Sequence, residues 1–188
     1  MSEISKIADL LKAIRSRIMM EEERIVTTAA FAVLAELIDR IFREGKDSNG
    51  GKIGDYSTDE IWIKIPYSGV NNSRLKKKGK PKGKDKKAKE TKSTMYFNGG
   101  YADFRKKVGR QNSTVDLNLS GELARNVIVA KKSDSIVIGI STYENAKKAN
   151  SLEEKYKKNI FSLTNEEKSL FLRIVNREIE ELLNKILS

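Results

Sequence analysis

Apolar residues recur at Ile4, Ile7, Leu11, Ile14 and Ile18, then at Ile25, Ala29, Val33, Leu37 and Ile41, and no Gly or Pro stands between Ile4 and Phe42. Steps of three and four residues put each set on one stripe of a helix, the pattern of a surface that is covered on one side. Ala30, Leu34, Ile38 and Phe42 widen the second stripe. Between the two sets lies the charged run Glu21-Glu22-Glu23-Arg24, so the pattern predicts either one long helix or two helices bent near Met19 to Glu23. Gly45 supplies the stop, because a glycine just past the last turn takes the left-handed conformation without a side-chain clash.

The pattern then changes. Asp47 to Asp55 (DSNGGKIGD) is rich in turn formers. Its glycines invite a phosphate-loop reading, but that loop ends in Gly-Lys-Ser/Thr on a helix that follows a strand. Here Gly51-Lys52 is followed by Ile53 and a helix precedes. From Glu60 to Ile65 (EIWIKI) the chain alternates, with Ile61, Ile63 and Ile65 on one face and Trp62 and Lys64 on the other, which predicts a strand closed by Pro66.

Tyr101 to Val108 reads as a short helix stopped by Gly109, and Val115 to Leu119 (VDLNL) as an alternating strand. One or two helical turns capped by Ser120 follow. Asn126 to Ala130 and Ser135 to Ile140 predict a β-hairpin across Lys131 to Asp134. Residues 143–160 are polar and lysine-rich, and are expected to be a linker with at most an exposed helix. The last helix is expected from Asn165, because Thr164 and Glu167 match the capping box, in which each side chain satisfies the other's free backbone N–H. Its stripe is Leu170, Phe171, Ile174, Val175, Ile179, Leu182, Leu183 and Ile186, with Arg173, Arg177, Glu180 and Lys185 facing away.

These elements describe an α+β fold. A long N-terminal helix or helix pair and a C-terminal helix pack on a small, mainly antiparallel β-sheet, with a basic loop inserted in the sheet region. At 188 residues the chain holds one domain with a real core. No run of about 18 apolar residues is present to span a membrane, so synthesis in a cytoplasm is expected.

Charge sharpens the picture at one place. Arg74 to Lys92 (RLKKKGKPKGKDKKAKETK) carries eleven of the basic residues against Asp85 and Glu90, so it holds nearly all of the chain's formal +11. The rest is close to neutral. A segment this charged, with Leu75 as its large apolar side chain, has too little to bury to offset its ordering entropy. Residues 68–95 are therefore expected to form a flexible basic insertion. The basic residues Arg74, Lys76, Lys77, Lys78, Lys80, Lys82, Lys84, Lys86, Lys87, Lys89 and Lys92 are the candidate contacts to an anionic partner. That partner is DNA, held through phosphates with little base readout and a steep salt dependence, or an acidic protein face. A loop that only aids solubility is the third reading.

Histidine and cysteine are absent. Disulfides, thiolate chemistry, Cys-His dyads, catalytic triads and the usual zinc sites are thereby excluded. No cluster of carboxylates or lysines suggests catalysis; the three consecutive residues Glu21 to Glu23 point in different directions on a helix and do not converge on an ion. No cofactor and no enzymatic activity are expected. Trp62 reads equally as an interface anchor or as part of a second buried sheet face. With Tyr96, Phe97 and Tyr101 it makes up the candidate subunit interface.

From Tyr101 onward the order Leu119-Ser120-Gly121-Glu122-Leu123, the hairpin strands, Tyr143 to Ala146, and Phe161-Ser-Leu-Thr before the last helix resembles tailed-phage neck and tail-completion proteins. These are virion morphogenesis proteins of the HK97 tail-component type. The family pattern is a strand leading into a Thr/Ser-Gly-x-Leu turn, a hairpin, a Tyr-Ala segment and an aromatic lead into the terminal helix. An N-terminal amphipathic helix and a variable central insertion also look like that family. Two departures stand out: Glu144-Asn145 separates Tyr143 from Ala146, and Lys158-Asn159-Ile160 replaces the usual Pro-Arg. The resemblance implies a non-catalytic virion subunit at the head–tail junction or tail end. It would assemble as a ring, a hexamer or dodecamer, against portal, neck or tail proteins, with DNA in the channel as a further partner and no membrane.

Overall fold

The computed structural model describes residues 3–64 and 94–187. The N-terminal pattern forms one helix, α1 (Glu3–Asp39), and not a bent pair. The charged run at its middle is neutralised along the helix, since Arg24 Nε donates to Glu21 Oε2 at 2.6 Å and Arg17 lies 3.7 Å from the same carboxylate. Such i,i+3 and i,i+4 pairs support the helix through a stretch that buries little. A wider π turn, Arg40–Glu44, follows, and Gly45 ends it at φ 69°. Glycine is required there twice over, because a Cβ would also lie 2.5 Å from the Val115 carbonyl oxygen.

Helix α5 (Asn165–Leu187) starts where the capping box places it. Thr164 N donates to Glu167 Oε2 at 2.8 Å and Glu167 N donates to Thr164 Oγ1 at 3.1 Å. Arg40 pairs with Glu167 and Arg24 with Glu178, so the two long helices run antiparallel. The expected α5 stripe faces α1, with Ile174 and Leu182 buried and Leu170, Phe171, Val175, Ile179, Leu183 and Ile186 half-buried.

Two separate two-stranded antiparallel sheets complete the α+β architecture. Strands β1 (Ile61–Lys64) and β2 (Thr94–Phe97) pair with Ile61 opposite Phe97 and Lys64 opposite Thr94. Thr94 and Met95 thus belong to a strand and not to the expected 68–95 insertion. Helix α2 (Gly100–Lys107) packs beside β2 and ends before Gly109, close to expectation. Helix α3 (Glu122–Arg125) is a single turn, entered through Gly121, with the Ser120 hydroxyl accepting from Glu122 N at 3.3 Å. Strands β3 (Val127–Lys132) and β4 (Ser135–Ile140) form the expected hairpin with a tighter turn at Ser133-Asp134, and the hairpin lies against α1.

Two expectations fail. Val115 to Leu119 is not a strand: Leu117 takes φ 49°, and the Asp116 carboxylate accepts from Asn118 N at 3.0 Å, folding the chain back on itself. Nor is 143–160 a linker, because Tyr143–Tyr156 forms helix α4, capped by the Thr142 hydroxyl. It buries Asn145 and Ala149 and sets Leu152 and Tyr156 against the main core. That apolar strip is one residue wide per turn, too narrow to register against so many lysines.

The main core gathers Leu37, Ile41, Phe42, Ile53, Val115 and Ile160 with neighbours from α3, β3 and α4. A smaller core of Ile63, Phe97, Phe104 and Val108 joins β1, β2 and α2.

Candidate interaction surfaces

Two buried arginines draw attention first, because buried charge so often marks chemistry. Arg40 Nε donates to Glu167 Oε1 at 2.8 Å, Nη1 to the carbonyls of Lys46 and Ile160 (both 3.1 Å), and Nη2 to the Ser162 carbonyl at 2.9 Å. Arg105 Nη2 straddles both Asp116 oxygens at 2.8 and 2.9 Å; its Nε and Nη1 reach the carbonyls of Gln111 and Asn118. Its guanidinium also lies 4.4 Å from the centre of the Tyr56 ring, and the Tyr56 hydroxyl donates to Asp116 Oδ1 at 2.8 Å. Burial, together with that anionic neighbour, pushes the Tyr56 hydroxyl well above the usual phenol range. Both guanidinium groups spend their donors on loop carbonyls and a carboxylate, so they act as clamps: Arg40 ties α1 to the loop before α5, and Arg105 ties α2 to the 111–118 loop.

The expected interface aromatics separate into different environments. Phe97 is a correction: it is fully buried, edge-on to Phe104 with centroids 5.3 Å apart, and belongs to the smaller core. The alternation that places it opposite Ile61 carries no information on what packs over the strand. Tyr101 is half-buried between the rings of Tyr56 and Phe104, each 5.5 Å away. Trp62 and Tyr96, directly opposite in the ladder, are half-buried and meet each other with centroids 5.2 Å apart. Tyr96 also donates to the Glu60 carboxylate, which raises its hydroxyl above the ordinary phenol value. The eleven basic candidates, Arg74 to Lys92, lie outside the described residues, as do Ile65 and Pro66. What the fold does set is their attachment: the chain leaves β1 at Lys64 and returns to β2 at Thr94, which are partners across the ladder. The Trp62–Tyr96 pair is therefore two residues from both ends of that segment.

The glycine-rich turn makes no anion cradle. Asp47 occupies it, accepting from Asn49 N at 3.0 Å and Gly51 N at 2.9 Å while Lys158 Nζ lies 2.9 Å from its other oxygen. Burial alone would raise the Asp47 carboxyl, but Lys158 and the two N–H groups outweigh it and hold it below the ordinary carboxylate range. The loop is thereby fastened to the chain just before α5, where Ser48 also bonds the Asn159 carbonyl.

One exposed apolar feature among the described residues is one the first stripe signalled without revealing its fate. Ile4, Ile7 and Leu11 are 79%, 58% and 60% exposed, whereas Val33 and Leu37, on the second stripe, are 0% and 1% exposed. The reason is length. With 37 residues α1 runs about 55 Å, and with 23 residues α5 runs about 34 Å, so α1 projects about 20 Å past its partner. Elsewhere on α1, between the hairpin and the start of α5, an open groove of about 700 Å³ is floored by Val26 and Ala30 and walled by Ile136, Ile138, Phe171 and Leu172.

Comparison with protein-family models, curated proteins and solved structures finds no match. No helix of the described residues is long and apolar enough to cross a membrane. Among the described residues no group of three or more acidic side chains is placed to hold a metal ion.

Proposed function

We propose that this chain is a structural virion protein of a tailed phage, a ring-forming head–tail connector (neck) or tail-completion subunit that works by assembly and not by catalysis. The observation that supports the reading most is the projecting end of α1. Three large aliphatic side chains that stand more than half exposed in a row make a contact surface, because burying each stabilises by about 1.5–3 kcal/mol. Away from that surface, beyond the other end of α1, Arg40 and Arg105 clamp the fold, as suits a subunit that must present fixed faces to neighbours. The sequence resemblance supplies the kind of assembly, and imaging of assembled particles tests it: a ring of this chain at the head–tail junction or tail end is expected. Absence of the chain from purified virions would sink the reading.

A second reading keeps its place because of the Trp62–Tyr96 pair. A tilted aromatic pair at the base of the segment that carries the lysines suits a non-sequence-specific nucleic-acid contact, in which phosphates meet lysines and bases meet rings. The logarithm of its binding constant for DNA is then expected to fall linearly with the logarithm of salt. Replacing Arg74 to Lys92 by a short Gly-Ser turn should abolish binding, and unchanged binding after the replacement would exclude this reading. DNA in a ring's lumen would make the two readings compatible.

A further inference from the structure

We infer that the outward face of the β1–β2 ribbon, Trp62 and Tyr96 with Lys64 beside them, stacks the unpaired bases of a single-stranded nucleic acid. This rests on the nucleic-acid reading of the chain and names its substrate class: a strand whose base faces are open, and not a duplex.

The ribbon has two unlike faces. Successive strand residues alternate sides, so Ile61, Ile63, Met95 and Phe97 share one face and Trp62, Lys64 and Tyr96 the other. The first face is anchored, because Ile63 and Phe97 are buried with Phe104 and Val108, and Met95 packs on them. On the second face the environment is different: among the described residues neither Trp62 nor Tyr96 packs on either hydrophobic core. Their rings lie 5.2 Å apart and are inclined at 49°, so each supports the other. The seated face below holds the aromatic pair in place.

The chemistry of this face selects base rings over base edges. A two-stranded ribbon that reads a duplex enters the major groove and makes hydrogen bonds to the edges of the pairs. Here the Tyr96 hydroxyl already donates to the Glu60 carboxylate, so what Tyr96 offers a partner is its ring. In a duplex the face of each base is covered by its neighbours in the stack, and only an unpaired base can lay its face on an aromatic side chain. Such stacking tolerates any sequence, since every base has a π-face.

Charge supplies the other half of the match. Lys64 is exposed and stands two residues, about 7 Å, beyond Trp62 on the same face. Past it, the sequence between Lys64 and Thr94 holds the eleven basic residues from Arg74 to Lys92. Glu60, also exposed, stands two residues before Trp62. Phosphates are therefore drawn to the Lys64 end of the ribbon and repelled at the Glu60 end, which leaves the bases to the rings between them. An acidic protein face would satisfy the lysines and give the rings nothing to stack on.

Trp62 is the single tryptophan of the chain, so its fluorescence reports on this face without any substitution. The protein is titrated at low salt with an oligodeoxythymidine, a blunt DNA duplex of the same length, inorganic polyphosphate and poly-glutamate. The oligonucleotide is expected to quench the indole and to bind about tenfold tighter than the duplex; polyphosphate, which has no rings, is expected to bind without quenching. Trp62→Ala should weaken oligonucleotide binding about 5- to 100-fold and change duplex and polyphosphate binding less than about twofold. Trp62→Phe should keep most of the affinity, with thermal unfolding unchanged in both variants. Oligonucleotide binding that leaves the indole unquenched, duplex binding of equal strength, or equal quenching by polyphosphate would overturn the stacking site and leave the nucleic-acid reading standing. Binding of poly-glutamate with no binding of either nucleic acid would overturn both in favour of an acidic protein partner, and a chain that binds none of the four would overturn both as well.

Discussion

The two halves of α1 carry nearly the same apolar spacing and end in opposite environments. From Ile25 to Ile41 the stripe is roofed by α5 and the hairpin, and Ala29, Val33 and Ile41 are fully buried. From Ile4 to Leu11 the same kind of stripe stands in the open. A periodic stripe therefore states that something covers the helix, and it is silent on whether the cover belongs to the same chain. What separates the halves is a boundary condition, the length of α5, which covers about 34 Å of the 55 Å of α1. Burial makes the covered half part of the fold's stability; the open half is free to be part of an interface.

Four substitutions probe that division, and the largest effect belongs to the covered end. Arg40→Ala leaves the Glu167 carboxylate buried beside three carbonyls that have lost their donor, and is expected to cost about 3–5 kcal/mol. Chemical denaturation reads it directly, and a loss below about 1 kcal/mol would mean the clamp is not what fixes α5 to α1. Leu37→Ala opens a hole in the main core beneath the covered stripe and should cost about 2–5 kcal/mol. The equivalent truncation in the open half, Leu11→Ala, should lie within about 0.5 kcal/mol for the isolated chain. Equal costs for the two leucines would erase the distinction between the halves.

Asp47→Asn tests the loop that follows α1 and has the pH dependence of a depressed carboxyl. Because the folded-state value lies below the ordinary one, the ionised carboxylate stabilises the fold fully above the ordinary carboxyl range. That stability is lost as pH falls through the folded value. The wild type is expected to exceed Asp47→Asn by about 1 kcal/mol at neutral pH, and the gap should close below about pH 4. A gap that widens on acidification would contradict the role of Lys158. The smallest stability effect, that of Leu11→Ala, is also the one expected to come with the largest change in association, since it removes a contact side chain while sparing the fold.

Much of the fold was legible. Gly45, the Thr164–Glu167 box and the β3–β4 alternation are local devices whose physics is complete within a few residues, and each sits where its pattern places it. Val115 to Leu119 misled because the alternation there comes from a turn built on Asp116, and a turn of that kind depends on Arg105 arriving from α2. Helix α4 was hidden for a related reason. Its buried strip is Asn145, Ala149, Leu152 and Tyr156, and Asn145 counts as polar until Thr142 is found beside it.

The candidate surfaces were legible only in part. Trp62 and Tyr96 stand at the base of the basic segment as their order in the chain suggests, but Phe97, two positions along from Met95, turns out to be core. The groove had no signal, because its floor, Val26 and Ala30, lies more than a hundred positions from its walls.

By itself, then, the sequence determined the Gly45 stop, the capping box of α5, the hairpin, the concentration of charge between Arg74 and Lys92, and the absence of thiol and imidazole chemistry. All of these follow from interactions over a few residues or from composition alone. Tertiary structure decided which half of α1 is covered, that Phe97 is buried while Trp62 meets Tyr96, and that Arg40 and Arg105 are clamps. Those outcomes depend on which distant segment lies alongside, and relative lengths and long-range packing fix that; no periodicity within one segment carries it.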